Sequence, residues 1–261
     1  MNGLYLCKTC DMPTATTEDY YQQQHEKCRK ALISYARSAK DEDIHRARVA
    51  IKRIKAVMTI LHDSCGLDLE GHFSCYRHIF RQAGRLRDAA LMRDRITEES
   101  CDRTAATHHR RMAATLSRSF RDEVPAYLQD IDHHVEDVMA EIRCSRLDLA
   151  AYCHHLHKKL KKRWRKVSKS GHYHPLRKHL KHFIYACEML PEAERKELLS
   201  TKDTGHLEKL QDLIGQWHDA IHLDAHIHSG ISDAHRLHSD LRRDTDRLQK
   251  RIVKAGDKIW G

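Results

Sequence analysis

Two stretches decide the fold: HRARVAIKRIKAVMTIL, residues 45–61, and HPLRKHLKHFIYACEML, residues 174–190. Around the first, Ile44, Ala47, Ile51, Ile54, Met58 and Leu61 recur every three or four residues, the period of one helix face. In the second, Leu176, Leu180, Phe183, Cys187 and Leu190 match five of those six positions at an offset of 129 residues. Farther on, GRLRDAALM (84–92) answers GQWHDAIHL (215–223) at an offset of 131. Two offsets that differ by only two residues point to an internal duplication, with a first copy over about 17–143 and a second over about 144–261.

Working outward, the rest of the chain also reads as helix. Residues 1–16 are expected to be a tail. Thr17, with Glu18 and Asp19 behind it, is a fair helix start for a run to about Ala39. Asp41, Glu42 and Asp43 open the next helix, to about His62. Helical patterns follow at 72–83, at 85–98, and from about 103 to 143 with a break expected at Pro125. In the second half the spacing predicts helices over about 147–168 and from Pro175 to Leu190. A short helix after Pro191, one capped by Thr204 and a last one over about 232–256 complete the chain. Pro at the start of a helix is tolerated because its missing N–H has no partner there anyway.

Charged residues make up 32% of the chain while Pro numbers 4 and Gly 10, which favours helices over the turns that a sheet requires. Neither copy contains a convincing strand, so the expected fold is all-α, two pseudo-symmetric helical bundles. No apolar run approaches the ~18 residues of a membrane span, and the first residues carry no export-signal pattern. A cytoplasmic protein with its nine cysteines reduced is the expectation. Cys7 and Cys10 form one C-x-x-C without the second pair that a structural zinc would need.

The formal net charge is +10, yet residues 149–187 alone hold eleven Lys/Arg, no Asp or Glu, and seven His. A positive field that is local usually answers a polyanion. At about 100° per residue, His45, Arg48, Lys52 and Lys55 fall within an arc of roughly 80°, bordering the apolar face instead of opposing it. In the second copy His174, Arg177 and Lys181 take the same places, followed by Tyr185 and Glu188; Lys178 adds a further cation beside them. Arg offers phosphate a planar fork, Lys a movable point charge, and His one donor when neutral or two when protonated. Aromatics are only 6% of the chain, too few for the stacking platforms of single-stranded nucleic-acid sites. The pattern reads charge and phosphate spacing and has no evident reader of bases.

These elements, HRARVAIKRIK with GRLRDA and HPLRKHLKHFIYACE with LQDLIGQWHDA, resemble the two halves of a CHAD domain (conserved histidine α-helical domain) over about residues 17–260. The resemblance implies two pseudo-symmetric four-helix bundles with a basic cavity between them that binds inorganic polyphosphate. It implies binding by His45, Arg48, Lys52, Arg53 and Lys55 in the first half, and by His174, Arg177 and Lys181 in the second. Arg87 and Asp88, with His218 and Asp219, match its second element, the aspartates orienting nearby cations. The chain departs from the pattern at Ile184, where the family has Arg, and at His218, where the first half has Arg87.

The expected function is therefore non-enzymatic polyphosphate binding, by a protein free in the cytoplasm or targeted to polyphosphate granules, with no cofactor and no membrane partner. Non-specific nucleic-acid binding and a His-Asp metal-dependent phosphohydrolase built on His218-Asp219 are the alternatives. EAERK (192–196) has the Glu-x-Glu-x-Lys spacing of tunnel triphosphatases, but it follows Pro191 in a helical context. His172/His174 and His226/His228 are pairs that could take a transition metal adventitiously.

Overall fold

The computed structural model describes residues 14–99, 103–228 and 235–260, and all the elements it contains are helices. The chain divides into two compact units, one up to Asp148 and the other from Leu149. No helix among the described residues is long and apolar enough to cross a membrane.

The first unit holds α1 (Thr14–Ser38), α2 (Asp41–Cys65), α3 (Glu70–Glu99), α4 (Arg103–His133) and α5 (Val135–Cys144). Each of the four long helices packs on its chain neighbour, and α4 returns to α1, while α5 lies against α1. The apolar positions of α2 read from the sequence are all buried, with Ile54 and Leu61 wholly so. Asp43 also turns inward, 1% exposed, and accepts hydrogen bonds from Ser34 (2.9 Å) and Ser38 (2.8 Å) of α1 and from Arg46. Burial pushes its carboxyl up, but the two hydroxyls and Arg46 outweigh this and leave it below the usual carboxylate range. The acidic helix start thus doubles as a clasp between α1 and α2. At the other end Gly66, at φ 70°, closes α2 with its N–H on the His62 carbonyl (3.0 Å).

The second unit holds α6 (Leu149–Ser170), α7 (His174–Glu188), α8 (Glu192–Leu198), α9 (Thr201–His228) and α10 (His235–Trp260). Here α6 packs on α7, α7 on α9, α9 on α10, and α10 returns to α6, the same closed order as in the first unit. On α6 the stripe Leu149, Cys153, Leu156, Leu160 and Trp164 is buried, so the intervening Lys and Arg are left on the solvent side. Gly171, at φ 73°, makes the turn into α7.

Several expected boundaries are corrected. The first helix starts at Thr14, and Thr17 lies inside it, 3% exposed. The patterns at 72–83 and 85–98 are one helix, α3, which runs through Gly84. The chain does not break at Pro125, which sits exposed within α4. Phe120, Val124, Tyr127 and Ile131 are buried around it and hold the helix through the missing hydrogen bond. The break comes at His134 instead, which has φ −99° and ψ −3°. Ser200, not Thr204, caps α9: its hydroxyl accepts from the Asp203 N–H (3.2 Å) and donates to the Asp203 carboxylate (2.6 Å). The last helix runs to Trp260. Cys7 and Cys10 lie outside the described residues, as do the side chains of His226 and His228.

Candidate phosphate-binding site

In the first unit the cations of α2 meet α3. Arg48 is half-buried, its Nη1 donating to the Phe80 carbonyl (2.8 Å) and its guanidinium 4.1 Å from the centre of the Phe80 ring. Lys52, a turn on, is half-buried with Nζ 5.6 Å from the same ring. A cation over an aromatic face gains about 0.5–2 kcal/mol, more as water is excluded. Gly84 explains how the guanidinium fits, since a Cβ there would stand 2.7 Å from Arg48 Nη1.

His45 is exposed in the second turn of α2, but partial loss of water, then the charge of Arg87, then those of Lys52 and Arg48 push its pKa below the usual 6.5 against the pull of Glu42. Burial, and after it Arg87, likewise pushes Arg48 down, with Asp88 pulling the other way. His45, Arg48, Lys52 and Arg87 are therefore brought together. Lys55 is exposed one turn farther on, its Nζ 5.8 Å from the Phe73 ring. Arg53 is half-buried about 100° around the helix from Lys52, off this line.

The second unit repeats part of this. Arg177 is half-buried with Nη2 3.9 Å from where a Cβ on Gly215 would stand. Arg48 Nε and Arg177 Nε are both buried without a hydrogen-bond partner among the described residues. The exposed His174 ring lies 4.7 Å from that of His218, the position that corresponds to Arg87. The residues just before them, Tyr173 and Trp217, meet edge-on at 5.2 Å. Lys181 is half-buried on the same side of α7. Lys178 is exposed, and its charge bears on His179, which burial first, then Arg163 and Lys159 of α6, then Lys178 hold below its usual pKa. Lys178 thus belongs with the exposed cations of α6.

Some features escaped the sequence reading. Phe80 carries no motif, and its role appears only when α2 and α3 are side by side. The glycines at 84 and 215 were visible as repeat markers, but not as the floor beneath an arginine. A further cationic hollow of about 330 Å³ lies between α9 and α10, lined by His206, Lys209, Arg251, Lys254 and Lys258. Its cations come from segments over 40 residues apart, with no shared pattern.

Other chemistry suggested by the sequence finds less support. EAERK lies in helix α8, where Glu192 and Glu194 point about 200° apart and Glu192 pairs with Lys196 (2.5 Å). Neither His218 nor Asp219 belongs to a cluster of three metal-ligating side chains among the described residues.

The units together define an all-helical protein in which Arg-centred cationic lines border the packed faces. The family model described as CHAD domain matches residues 20–228, well over half of the chain, and the chain belongs to that family. A comparison with curated proteins found no match.

Proposed function

We propose that this protein binds inorganic polyphosphate, with the chain lying along the cationic lines of α2 and α7. The observation that carries this reading is the crowding of His45, Arg48, Lys52 and Arg87, where burial and mutual repulsion make His45 and Arg48 hold their protons less firmly. Such a set gains from a multivalent anion that supplies charge along a line. Polyphosphate has one negative charge or more per unit and no bulky bases, matching a line of donors that offers no stacking platform. Membership of the CHAD family supports the same reading.

The finer picture goes with it. The repeated order of helices and the repeated His-x-x-Arg-x-x-x-Lys line reflect an internal duplication. Both lines contact polyphosphate, through His45, Arg48, Lys52, Lys55 and Arg87 in one half and through His174, Arg177 and Lys181 in the other. Arg53 and Lys178 take smaller parts. The protein is a binding module and not an enzyme, acting in the cytoplasm or on polyphosphate granules.

The test is calorimetric titration with long-chain polyphosphate, tripolyphosphate and single-stranded DNA at near-physiological salt, with the recovered polymer sized afterwards. Tight binding of long chains alone, with the polymer intact, is the expected result. Equal affinity for DNA would favour a nucleic-acid role, and a shortened polymer would favour a phosphohydrolase.

A further inference from the structure

The chain carries 23 histidines, far more than the two cationic lines use. Several gather at the other end of α3, where it meets the elbow between α4 and α5. His72 Nδ1 and His134 Nδ1 stand 3.3 Å apart, the rings nearly perpendicular at 78°. The Asp137 carboxylate joins them, with all three ligand atoms within 4.8 Å of one another. His133 packs against His134 at 5.1 Å between ring centres.

Three features of this cluster point the same way. First, the Nδ1–Nδ1 spacing is at the long end for a hydrogen bond. Two ligands about 2.05 Å from a tetrahedral ion lie about 3.3 Å apart, which is the spacing seen. Second, the elbow itself aims the ligand. The helix breaks at His134 without Gly or Pro, and His134 makes no side-chain cap to α5. The break turns its ring toward His72, a residue 62 positions earlier in the chain. Third, Asp137 is exposed in the first turn of α5, so its carboxylate can swing the remaining distance without disturbing the core.

We propose that His72, His134 and Asp137 form a binding site for a divalent transition-metal ion of the zinc type. Two imidazoles and one carboxylate suit a borderline ion and disfavour calcium or magnesium, which take oxygen ligands. Both rings bind through Nδ1 as neutral imidazoles, the proton of each resting on Nε2. The fourth position is left to water, supplied by an adjoining cavity of about 500 Å³ that His134 shares with Cys75, His78, Asp130 and His133. The ion would clip the start of α3 to the α4–α5 elbow. This site lies entirely on residues that the phosphate-binding reading does not use, so the two stand or fall separately.

The test uses the full chain, stripped with a chelator and titrated with Zn²⁺ against a chromophoric competitor, then with Co²⁺ to read geometry. The proposal expects one Zn²⁺ equivalent bound at micromolar or better affinity, and a Co²⁺ absorption band of tetrahedral intensity. His72→Asn and Asp137→Asn should each weaken that equivalent at least tenfold, and the metal-induced rise in Tm should disappear with it. Asp137→Asn is isosteric at an exposed position, so it separates loss of a ligand from loss of the fold. Absence of a tight equivalent in the parent, or parental affinity and stoichiometry in both variants, would overturn the site.

Discussion

Gly84→Ala separates stability from binding. The new Cβ would stand 2.7 Å from Arg48 Nη1, where ordinary contact begins at 3.4 Å. The obstruction is the end of a flexible side chain, so the guanidinium retreats by roughly 0.7 Å and the backbone stays. That retreat stretches the 2.8 Å bond to the Phe80 carbonyl and shifts the cation from its place over the ring. Removing a glycine from a helix interior gains about 1 kcal/mol, and the weakened hydrogen bond costs about 1 kcal/mol, so stability should barely move. Polyphosphate affinity should fall about tenfold, the loss of ~1.4 kcal/mol from one misplaced charge-assisted contact. Gly215→Ala is the control, since its Cβ would meet Arg177 Nη2 at 3.9 Å, an ordinary contact. It should gain the helix propensity, about 1 kcal/mol, and bind as the parent does. Melting curves and calorimetry with long-chain polyphosphate measure both effects. Parental binding by Gly84→Ala, or an equal loss in both variants, would refute the reasoning.

Other perturbations have equally defined outcomes. Gly256→Ala would place a Cβ 2.2 Å from the Trp164 ring, which donates to Asp257 (3.1 Å) and lies against Trp260; a melt should show a loss of about 2–3 kcal/mol. His157 is held below its usual pKa of 6.5 by burial first, then by His154 and Lys161, and its Nε2 accepts from Trp260 Nε1 (3.4 Å). Because the folded pKa lies below the unfolded one, its contribution is complete above pH 6.5 and is lost as pH falls through the lower folded value. Tm should therefore drop below pH 6.5, and His157→Gln should flatten part of that slope. In the proposed site, a polyanion beside His45 raises a pKa that partial burial first, then Arg87, Lys52 and Arg48 depress in the free protein, so binding takes up a proton. Affinity should keep rising below pH 6.5, where an ordinary histidine would level off, and His45→Asn should remove that rise. The logarithm of affinity should also fall linearly with that of salt, with a smaller slope when Lys52 is replaced by Gln.

The periodicities legible in the sequence were those set by burial. The three-and-four spacing of Ile44 to Leu61 and of Leu176 to Leu190 marks residues that are all buried. Tyr173, the counterpart of Ile44, is also fully buried, because the aromatic body of a tyrosine packs as readily as an isoleucine. The errors lay where tertiary packing overrides local preference. Pro125 reads as a breaker, but the buried residues on either side of it keep α4 continuous, whereas His134 breaks the helix with no local signal. The cationic line on α2 was legible because its members share one helix face. Its partners Phe80 and Gly84, and the His72–His134 pair, depend on which helices lie side by side, and spacing along the chain does not encode that.

The most direct test of the central claim is charge reversal at both arginines, Arg48→Glu with Arg177→Glu, followed by calorimetry with long-chain polyphosphate at near-physiological salt. Each reversal replaces a charge-assisted contact with repulsion, and the pair removes the centre of both lines. A double variant that melts as the parent does and shows no measurable binding is the expected result. Parental affinity in a normally folded double variant would contradict the account.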